Sequence, residues 1–286
     1  MKRIQLHAYA KINLTLDVTG KRPNGYHDVE MIMQQISLCD EVTVSWEAGS
    51  VRRGKPGQTA EPDPTGIQIQ LTVSRPDLPA DSSNLAWKAA EEMIAEFGGP
   101  AGGSSKAAAG TDAAGGSTKA AADTEAAGGV LTIDIQKQIP MAAGLAGGSS
   151  NCAAVLHAIN QLWELNLSVK ELCRIGARLG SDVPFCIMGQ AAAEEALQES
   201  FADDPDACHC ALATGTGTDL KPLTGLDSFI VLSKPAIGVS TAEVYRGIDN
   251  EGIPRHPDNN AVISAIFENN YKVLEEKMVN VLENFA

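Results

Sequence analysis

Residues 140–151 read Pro-Met-Ala-Ala-Gly-Leu-Ala-Gly-Gly-Ser-Ser-Asn and lead directly into a helical pattern. Apolar residues recur at helical spacing after this stretch, as far as Asn166. A glycine- and serine-rich turn at a helix start exposes backbone N–H groups, and the helix dipole adds partial positive charge there. The stretch therefore predicts an anion site, for which phosphate is the usual occupant.

Two common phosphate motifs do not describe this loop. It lacks a Gly-Lys-Ser/Thr ending, so no lysine of that motif reaches the phosphates, and it lacks Gly-x-Gly-x-x-Gly spacing. A loop that merely lets a helix pack close to a strand would also be rich in glycine. The loop alone leaves phosphate binding and close packing as alternatives.

Three more motifs accompany the loop: Ala10-Lys-Ile-Asn-Leu14, Gly25-Tyr26-His27 and Leu179-Gly-Ser-Asp-Val-Pro-Phe185. In this order, the four motifs resemble the GHMP kinase superfamily, which phosphorylates small-molecule alcohols with ATP. The first two together resemble the members that act on CDP-methylerythritol in the non-mevalonate pathway to isoprenoids. The resemblance covers most of residues 3–95, 130–189 and 211–284.

The resemblance implies an α+β, two-domain GHMP kinase fold. Its N-terminal ATP-binding domain would span residues 1–188, and its C-terminal α/β sandwich would span 189–286. The residue pattern supports a mixed fold, because alternating apolar residues predict strands at 12–18, 67–73 and 131–135. Further helices are predicted at 261–267 and 271–284.

Local signals place two helices between the strands. A helix is predicted after Asn84, with a buried face formed by Leu85, Ala89, Met93 and Phe97. A second begins at the capping box of Ser168 and Glu171 and ends at Gly180. Asp182 then falls in a tight turn before the apolar segment 183–188, which the family pattern makes a strand.

Two segments look foreign to this plan. Residues 98–129 contain a thirteen-residue tandem repeat without aromatic or branched apolar residues, so we expect a flexible excursion. Residues 190–210 hold six acidic residues and no lysine or arginine, and we expect an inserted surface helix at 191–201.

The resemblance implies that Asp182 is the catalytic carboxylate and that Lys11 lies beside it. Taken separately, Asp182 would be a turn cap and Lys11 a charge at a strand edge. Asn13 shares a strand face with Lys11 because side chains alternate along a strand. Phosphoryl transfer needs an anion cradle, an oriented hydroxyl and charge neutralisation, and these residues with the loop would supply all three.

Ligand-binding residues are also implied by the resemblance. Tyr26 and Tyr245 would stack on the two faces of the cytosine, and His27 would bind its edge, although both tyrosines could instead be core rings. Asn13 and Thr241 complete the acceptor site, and Asn84 lies near the adenine of ATP. Ser149 and Ser150 would offer hydroxyls to phosphate or to water on Mg²⁺. The expected ATP loop consists of Pro140, Met141, Ala142, Ala143, Gly144, Leu145, Ala146, Gly147, Gly148, Ser149 and Ser150.

The chain departs from the family pattern at three places. Ala146 stands where a third glycine is common, so we expect a negative φ there. Asn151 replaces a frequent aspartate but remains a good cap or polar contact. A Ser-Gly-Ser-Gly-Pro-Thr-type turn is missing before residue 286. Another GHMP kinase (for mevalonate, homoserine or a sugar) and a catalytically silent nucleotide-binding homologue therefore remain alternatives.

Composition limits the partners. The chain has 286 residues, 44% of them hydrophobic, and a net charge of −14, which argues against nucleic acid and anionic surfaces. No apolar run reaches membrane-spanning length, and six unpaired-looking cysteines suit a bacterial cytoplasm. Cys208-His209-Cys210 lacks a second ligand pair, so no protein metal site is expected. We expect a monomer or homodimer that uses ATP and Mg²⁺.

Overall fold

The structure, a computed structural model, describes residues 1–49, 66–100, 128–234 and 241–285, without the side chains of residues 241 and 242. Most of the predicted excursion at 98–129 lies outside these ranges. The strands are β1 (Lys2–Lys21), β2 (His27–Ala48), β3 (Ile67–Val73), β4 (Gly129–Gln136), β5 (Cys210–Thr214) and β6 (Asp219–Leu223). The helices are α1 (Leu85–Phe97), α2 (Gly147–Leu162), α3 (Val169–Leu179), α4 (Val183–Ala193), α5 (Gln198–Phe201), α6 (Thr241–Glu251), α7 (Asn259–Phe267) and α8 (Tyr271–Lys277).

One six-stranded sheet organises the fold, in the order β3-β4-β2-β5-β6 with β1 also paired to β2. The long strand β2 is antiparallel to β1 over most of its length, to β4 at 41–48 and to β5 at 31–34. The β1–β2 register shifts between Tyr9 and Lys11 and again between Asn13 and Thr15. Such bulges re-aim side chains, and these two flank Lys11 and Asn13.

The main core lies between the sheet and helices α1 to α4. Helix α2 is buried on nearly all sides, from Ser150 to Asn160, which explains its small and aliphatic composition. The loop that precedes α2 is therefore attached to a helix that is embedded in the main core. Within the described ranges, every helix is too short or too polar to cross a membrane.

Most predicted elements are confirmed. The strands expected at 12–18, 67–73 and 131–135 lie in β1, β3 and β4. Helix α1 starts after Asn84, buries Ala89 and Met93 completely, and leaves Leu85 and Phe97 partly buried. The capping box at Ser168 and Glu171 is present, and α3 ends at Gly180.

The expected strand at 183–188 was wrong, because this segment forms the first half of α4. A short run that is buried on all sides looks the same in a core helix and a core strand. Pro184 fits the helix because backbone N–H groups in the first turn have no partner within the helix. Asp182 is consequently the residue that precedes a helix.

The acidic segment 190–210 is not a surface helix, so that prediction was wrong. Leu197 and Phe201 are buried in the main core, at 0% and 3% exposure. The side chain of Asp204 accepts a bond from the N–H of Val169, 3.0 Å away, at the start of α3. Glu194 is also buried, at 5% exposure, and accepts the N–H of His7 at 3.0 Å, so the segment is docked on the core by apolar and acidic residues alike.

The C-terminal helices differ from their expected bounds. Helix α7 begins at Asn259, with Asp258 as its cap, and α8 ends at Lys277. A separate 3₁₀ turn follows at Val281–Phe285, so the continuous helix expected at 271–284 was wrong.

The domain boundary at 188/189 falls inside α4, and β5 beyond it pairs with β2. The division into two domains stays a prediction.

Candidate active site

The glycine-rich loop connects β4 to α2 and lines a cavity of about 400 Å³, together with Asn84 and Lys137. Its backbone is left-handed at Ala142, Gly144 and Ala146, where φ is 48°, 70° and 55°. Left-handed residues that alternate with other conformations are typical of anion-binding nests. The expected negative φ at Ala146 was wrong, and this methyl group sits where glycine is favoured.

The two serines of the loop have different surroundings. Ser150 is fully buried, and its hydroxyl donates to the carbonyl of Tyr9 at 2.6 Å. The same hydroxyl accepts from Nε2 of Gln190 at 3.1 Å. The predicted phosphate contact of the Ser150 hydroxyl is therefore wrong for this conformation, because the hydroxyl joins α2 to β1 and α4. Ser149 is partly exposed in the first turn of α2.

Asn84 lies at the rim of the same cavity. Its Oδ1 accepts the N–H of Ala86 at 3.0 Å, and its Nδ2 donates to the carbonyl of Pro79 at 2.8 Å. The side chain thus caps α1 beside the loop. Its contact with the adenine of ATP stays a prediction, which its place at the loop cavity supports.

Lys11 and Asp182 lie together although they are far apart in sequence. Nζ of Lys11 is 3.5 Å from Oδ2 of Asp182, and their side chains are 6% and 32% exposed. Nζ also donates to Oδ1 of Asn13 at 3.3 Å. The backbone N–H of Lys11 donates to the carbonyl of Leu145 at 3.2 Å. The ion pair is therefore joined directly to the glycine loop.

The alternative of a capping role for Asp182 finds no support. Asp182 precedes α4, but its side chain makes no capping bond to the described start of that helix. Its partly exposed carboxylate is paired with a buried lysine and is open on the other side. This arrangement leaves an oxygen available for a ligand.

The predicted acceptor residues His27 and Tyr245 are also brought together. Their rings stack with centroids 4.7 Å apart and planes inclined by 26°. Burial, and then the charge of Asp182, raises the pKa of the Tyr245 phenol. The stacked pair therefore lies within electrostatic range of the Asp182 carboxylate.

Asp249 lies beside the predicted acceptor residues, and its position was not predicted from the sequence. It follows Tyr245 by one helical turn, and its carboxylate lies 2.8 Å from Nε2 of His27. Lys21 donates to the same carboxylate at 2.6 Å. Hydrogen bonds from Lys21 and then from His27 lower the pKa of Asp249. The i,i+4 spacing from Tyr245 is the signal that could have revealed it.

Tyr26 and Thr241 are placed less completely. Tyr26 follows Gly25, whose φ is 87°, and is 65% exposed, so its ring is free to meet a ligand. Thr241 begins α6, but its side chain lies outside the described part. The core-ring alternative therefore fails for Tyr26 and fits the mostly buried Tyr245 better.

Comparison with known proteins identifies relatives over the whole chain. The family described as GHMP kinases N terminal domain matches residues 84–190. The 4-diphosphocytidyl-2-C-methyl-D-erythritol kinase of Alkaliphilus metalliredigens is 39% identical over 285 residues, which cover 99% of this chain and 76% of the relative. The corresponding kinase of Clostridioides difficile is 38% identical over 286 residues, which cover 99% of this chain and 75% of the relative.

A crystal structure of 4-(cytidine 5'-diphospho)-2C-methyl-D-erythritol kinase superposes with a TM-score of 0.60 and 26% identity. The superposition covers 99% of this chain and 76% of the crystal structure. This chain thus spans about three quarters of the length of the relatives it matches. It belongs to the GHMP kinases and, among them, to the 4-diphosphocytidyl-2-C-methyl-D-erythritol kinase family.

Proposed function

We propose that this chain transfers the γ-phosphoryl group of ATP to the 2-hydroxyl of 4-diphosphocytidyl-2-C-methyl-D-erythritol. The observation that carries the proposal is the position of the Lys11–Asp182 pair. The backbone of Lys11 is bonded to the glycine loop through Leu145, and the charge of Asp182 acts on Tyr245. A phosphate donor and a base-containing acceptor would therefore meet at these two charges.

The chemistry follows from this placement. The acceptor oxygen forms a bond to the γ-phosphorus as the bond from that phosphorus to the β,γ-bridging oxygen breaks. Asp182 accepts the hydroxyl proton, and ADP leaves with the bridging oxygen. The Lys11 ammonium stabilises negative charge on the transferring group, and backbone N–H groups of the loop hold the other phosphates.

Mg²⁺ would be bound largely by the nucleotide. Within the described residues, no group of three or more histidine, cysteine, aspartate and glutamate side chains could hold a metal ion. Protein sites for Mg²⁺ with ATP commonly supply one or two carboxylates and leave the remaining positions to phosphates and water. The open side of Asp182 fits that limited role, and the ion would neutralise phosphate charge.

A substrate panel tests the proposal. With ATP and Mg²⁺ held constant, we expect phosphorylation of the CDP-linked acceptor and not of mevalonate, homoserine or a hexose, with ³¹P NMR locating the new phosphate ester. Phosphorylation of another alcohol would identify a different GHMP kinase. Binding of ATP without transfer to any acceptor would identify a silent homologue.

A further inference from the structure

Three polar side chains are buried together beneath the glycine loop. Asp40 and Asn151 are 0% and 4% exposed, and the side chain of Lys137 is 7% exposed. They come from β2, from the first turn of α2 and from the residue after β4. Two charges are unfavourable in such a place unless they are fully paired, so the cluster requires an explanation.

The bonds within the cluster connect the loop to the sheet. Oδ1 of Asp40 accepts the backbone N–H groups of Gln138 and Ile139, at 2.6 and 2.8 Å. Its Oδ2 accepts from Nζ of Lys137 and from Nδ2 of Asn151, the latter at 2.8 Å. Nζ of Lys137 also donates to Oδ1 of Asn151 at 3.0 Å. A single carboxylate therefore binds the chain on both sides of the loop.

The cluster also reaches the loop cavity and the first residue of α2. Nζ of Lys137 is 3.1 Å from where a Cβ on Gly147 would stand, and Lys137 lines the loop cavity. The left-handed alanines 142 and 146 are unfavourable conformations, which persist only where surrounding structure imposes them. The bonds from Asp40 to Gln138 and Ile139 and to Asn151 constrain the loop at both of its ends.

We propose that Asp40, Lys137 and Asn151 are positioning residues that hold the glycine loop in its nucleotide-binding shape. The affinity for ATP then depends on side chains behind the loop as well as on the loop itself. The inference rests on the proposed function only for the identity of the nucleotide.

Two buried asparagines on the same helix provide the test. Asn151 is at the start of α2, and Asn160, 3% exposed, is near its end, where it bonds the N–H and carbonyl of Leu167 at 3.0 and 3.1 Å. Asn151→Ala and Asn160→Ala each remove two buried hydrogen bonds. Both should lower the melting temperature, but only Asn151→Ala should weaken ATP binding.

The expected loss for Asn151→Ala is about tenfold in Kd for ATP, which corresponds to about 1.4 kcal/mol, the scale of one lost hydrogen bond. The KM for ATP should rise while kcat and the KM for the acceptor stay unchanged. Amide hydrogen exchange should accelerate at 141–149 in this variant and not in Asn160→Ala. Asn151→Asp keeps an oxygen for Lys137 but loses the donor to Asp40 and places two buried carboxylates side by side, so it should not recover the affinity.

Equal weakening by the two alanine variants, or native affinity in Asn151→Ala, would overturn the inference. If Asn151→Ala does not fold, Asn151→Ser, read by the same titration and exchange, takes its place. A native chain that binds ATP without transferring phosphate would refute the proposed function. The ATP affinities of Asn151→Ala and Asn160→Ala would still decide whether the cluster positions the loop. If the native chain binds no ATP, loop exchange alone decides the inference.

Discussion

The nucleotide half and the acceptor half of the active site are built from similar charged pairs at very different depths. Behind the glycine loop, the side chains of Lys137 and Asp40 are 7% and 0% exposed. At the acceptor side, the side chains of Lys21 and Asp249 are 53% and 27% exposed. Buried pairs resist screening and hold one geometry, whereas exposed pairs contribute little rigidity.

The difference indicates how each half recognises its ligand. The loop is fixed before ATP arrives, because its ends are bonded to the core. The acceptor residues come from β1, β2 and α6, which meet through exposed contacts among Lys21, His27 and Asp249. We expect the acceptor half to adjust on binding and the nucleotide half to remain unchanged.

We expect the largest effect on turnover from a substitution in the Lys11–Asp182 pair, at which the two halves meet. Asp182→Asn removes the proton acceptor and leaves the loop intact, so kcat should fall by about 10²–10⁴ while the Kd for ATP changes little. Steady-state kinetics and calorimetry measure the two quantities. Asp77→Asn, at an exposed carboxylate paired with Arg75, is the control. Near-native turnover of Asp182→Asn would make the residue structural.

The buried core behind the nucleotide half predicts a pH effect on stability. Nε2 of His157 in α2 donates to the carbonyl oxygen of Ile187 at 3.0 Å, and burial lowers the pKa of the imidazole from 6.5 to about 4. The unfolded chain therefore binds a proton that the folded chain does not, and stability falls as pH decreases from 6.5 to 4. The contribution is about 3 kcal/mol when complete, at 1.36 kcal/mol per pKa unit.

Urea unfolding of native chain and His157→Gln across this pH range measures the effect. Glutamine keeps an N–H for the Ile187 carbonyl and cannot titrate. The variant should show a shallower decline in the free energy of unfolding. Identical slopes for the two proteins would show that His157 is not the responsible group.

Loss of the exposed Lys21–Asp249 pair should change the KM for the acceptor and leave the KM for ATP unchanged. Asp249→Asn weakens the bonds that orient His27 and join β1 to α6, so the KM for the acceptor should rise by roughly three- to tenfold, as expected for a slightly misplaced contact. The KM for ATP should not change. Asp28→Asn, at the neighbouring pair with Arg22, should have no such effect. A rise in both KM values would contradict the separation of the halves.

The smallest expected effect concerns the loop backbone. Ala146→Gly relieves a left-handed alanine, so the free energy of unfolding should rise by about 1 kcal/mol. Ala143→Gly, at a residue outside the left-handed region, should be neutral or destabilising. Thermal unfolding compares the two variants. A gain in stability from Ala143→Gly as large as that from Ala146→Gly would mean that backbone strain at residue 146 is not the cause.

Sequence reasoning performed best where a local signal determines the structure. The capping box at Ser168, the helix that starts after Asn84 and the glycine loop before α2 were all predicted, because each depends on neighbouring residues. The meeting of Lys11 with Asp182 required the family resemblance, since nothing in the spacing of these two residues predicts a contact.

The missed features depend on tertiary packing. The segment 183–188 is uniformly apolar, so its periodicity cannot distinguish a strand from a buried helix. The roles of Asp40 and Lys137 depend on the sheet bringing β2 beside the end of β4. The docking of Leu197 and Phe201 was hidden by six acidic neighbours that dominate the composition of that segment.

We infer that a fixed nucleotide half and a separate acceptor half form one active site. Calorimetric titration of Asn151→Ala and Tyr26→Ala with a non-hydrolysable ATP analogue and with the CDP-linked acceptor tests it most directly. We expect a crossed result, in which Asn151→Ala weakens only the nucleotide and Tyr26→Ala weakens only the acceptor, the latter by about 1–3 kcal/mol for a lost base stack. Parallel weakening of both ligands by either variant would contradict the account.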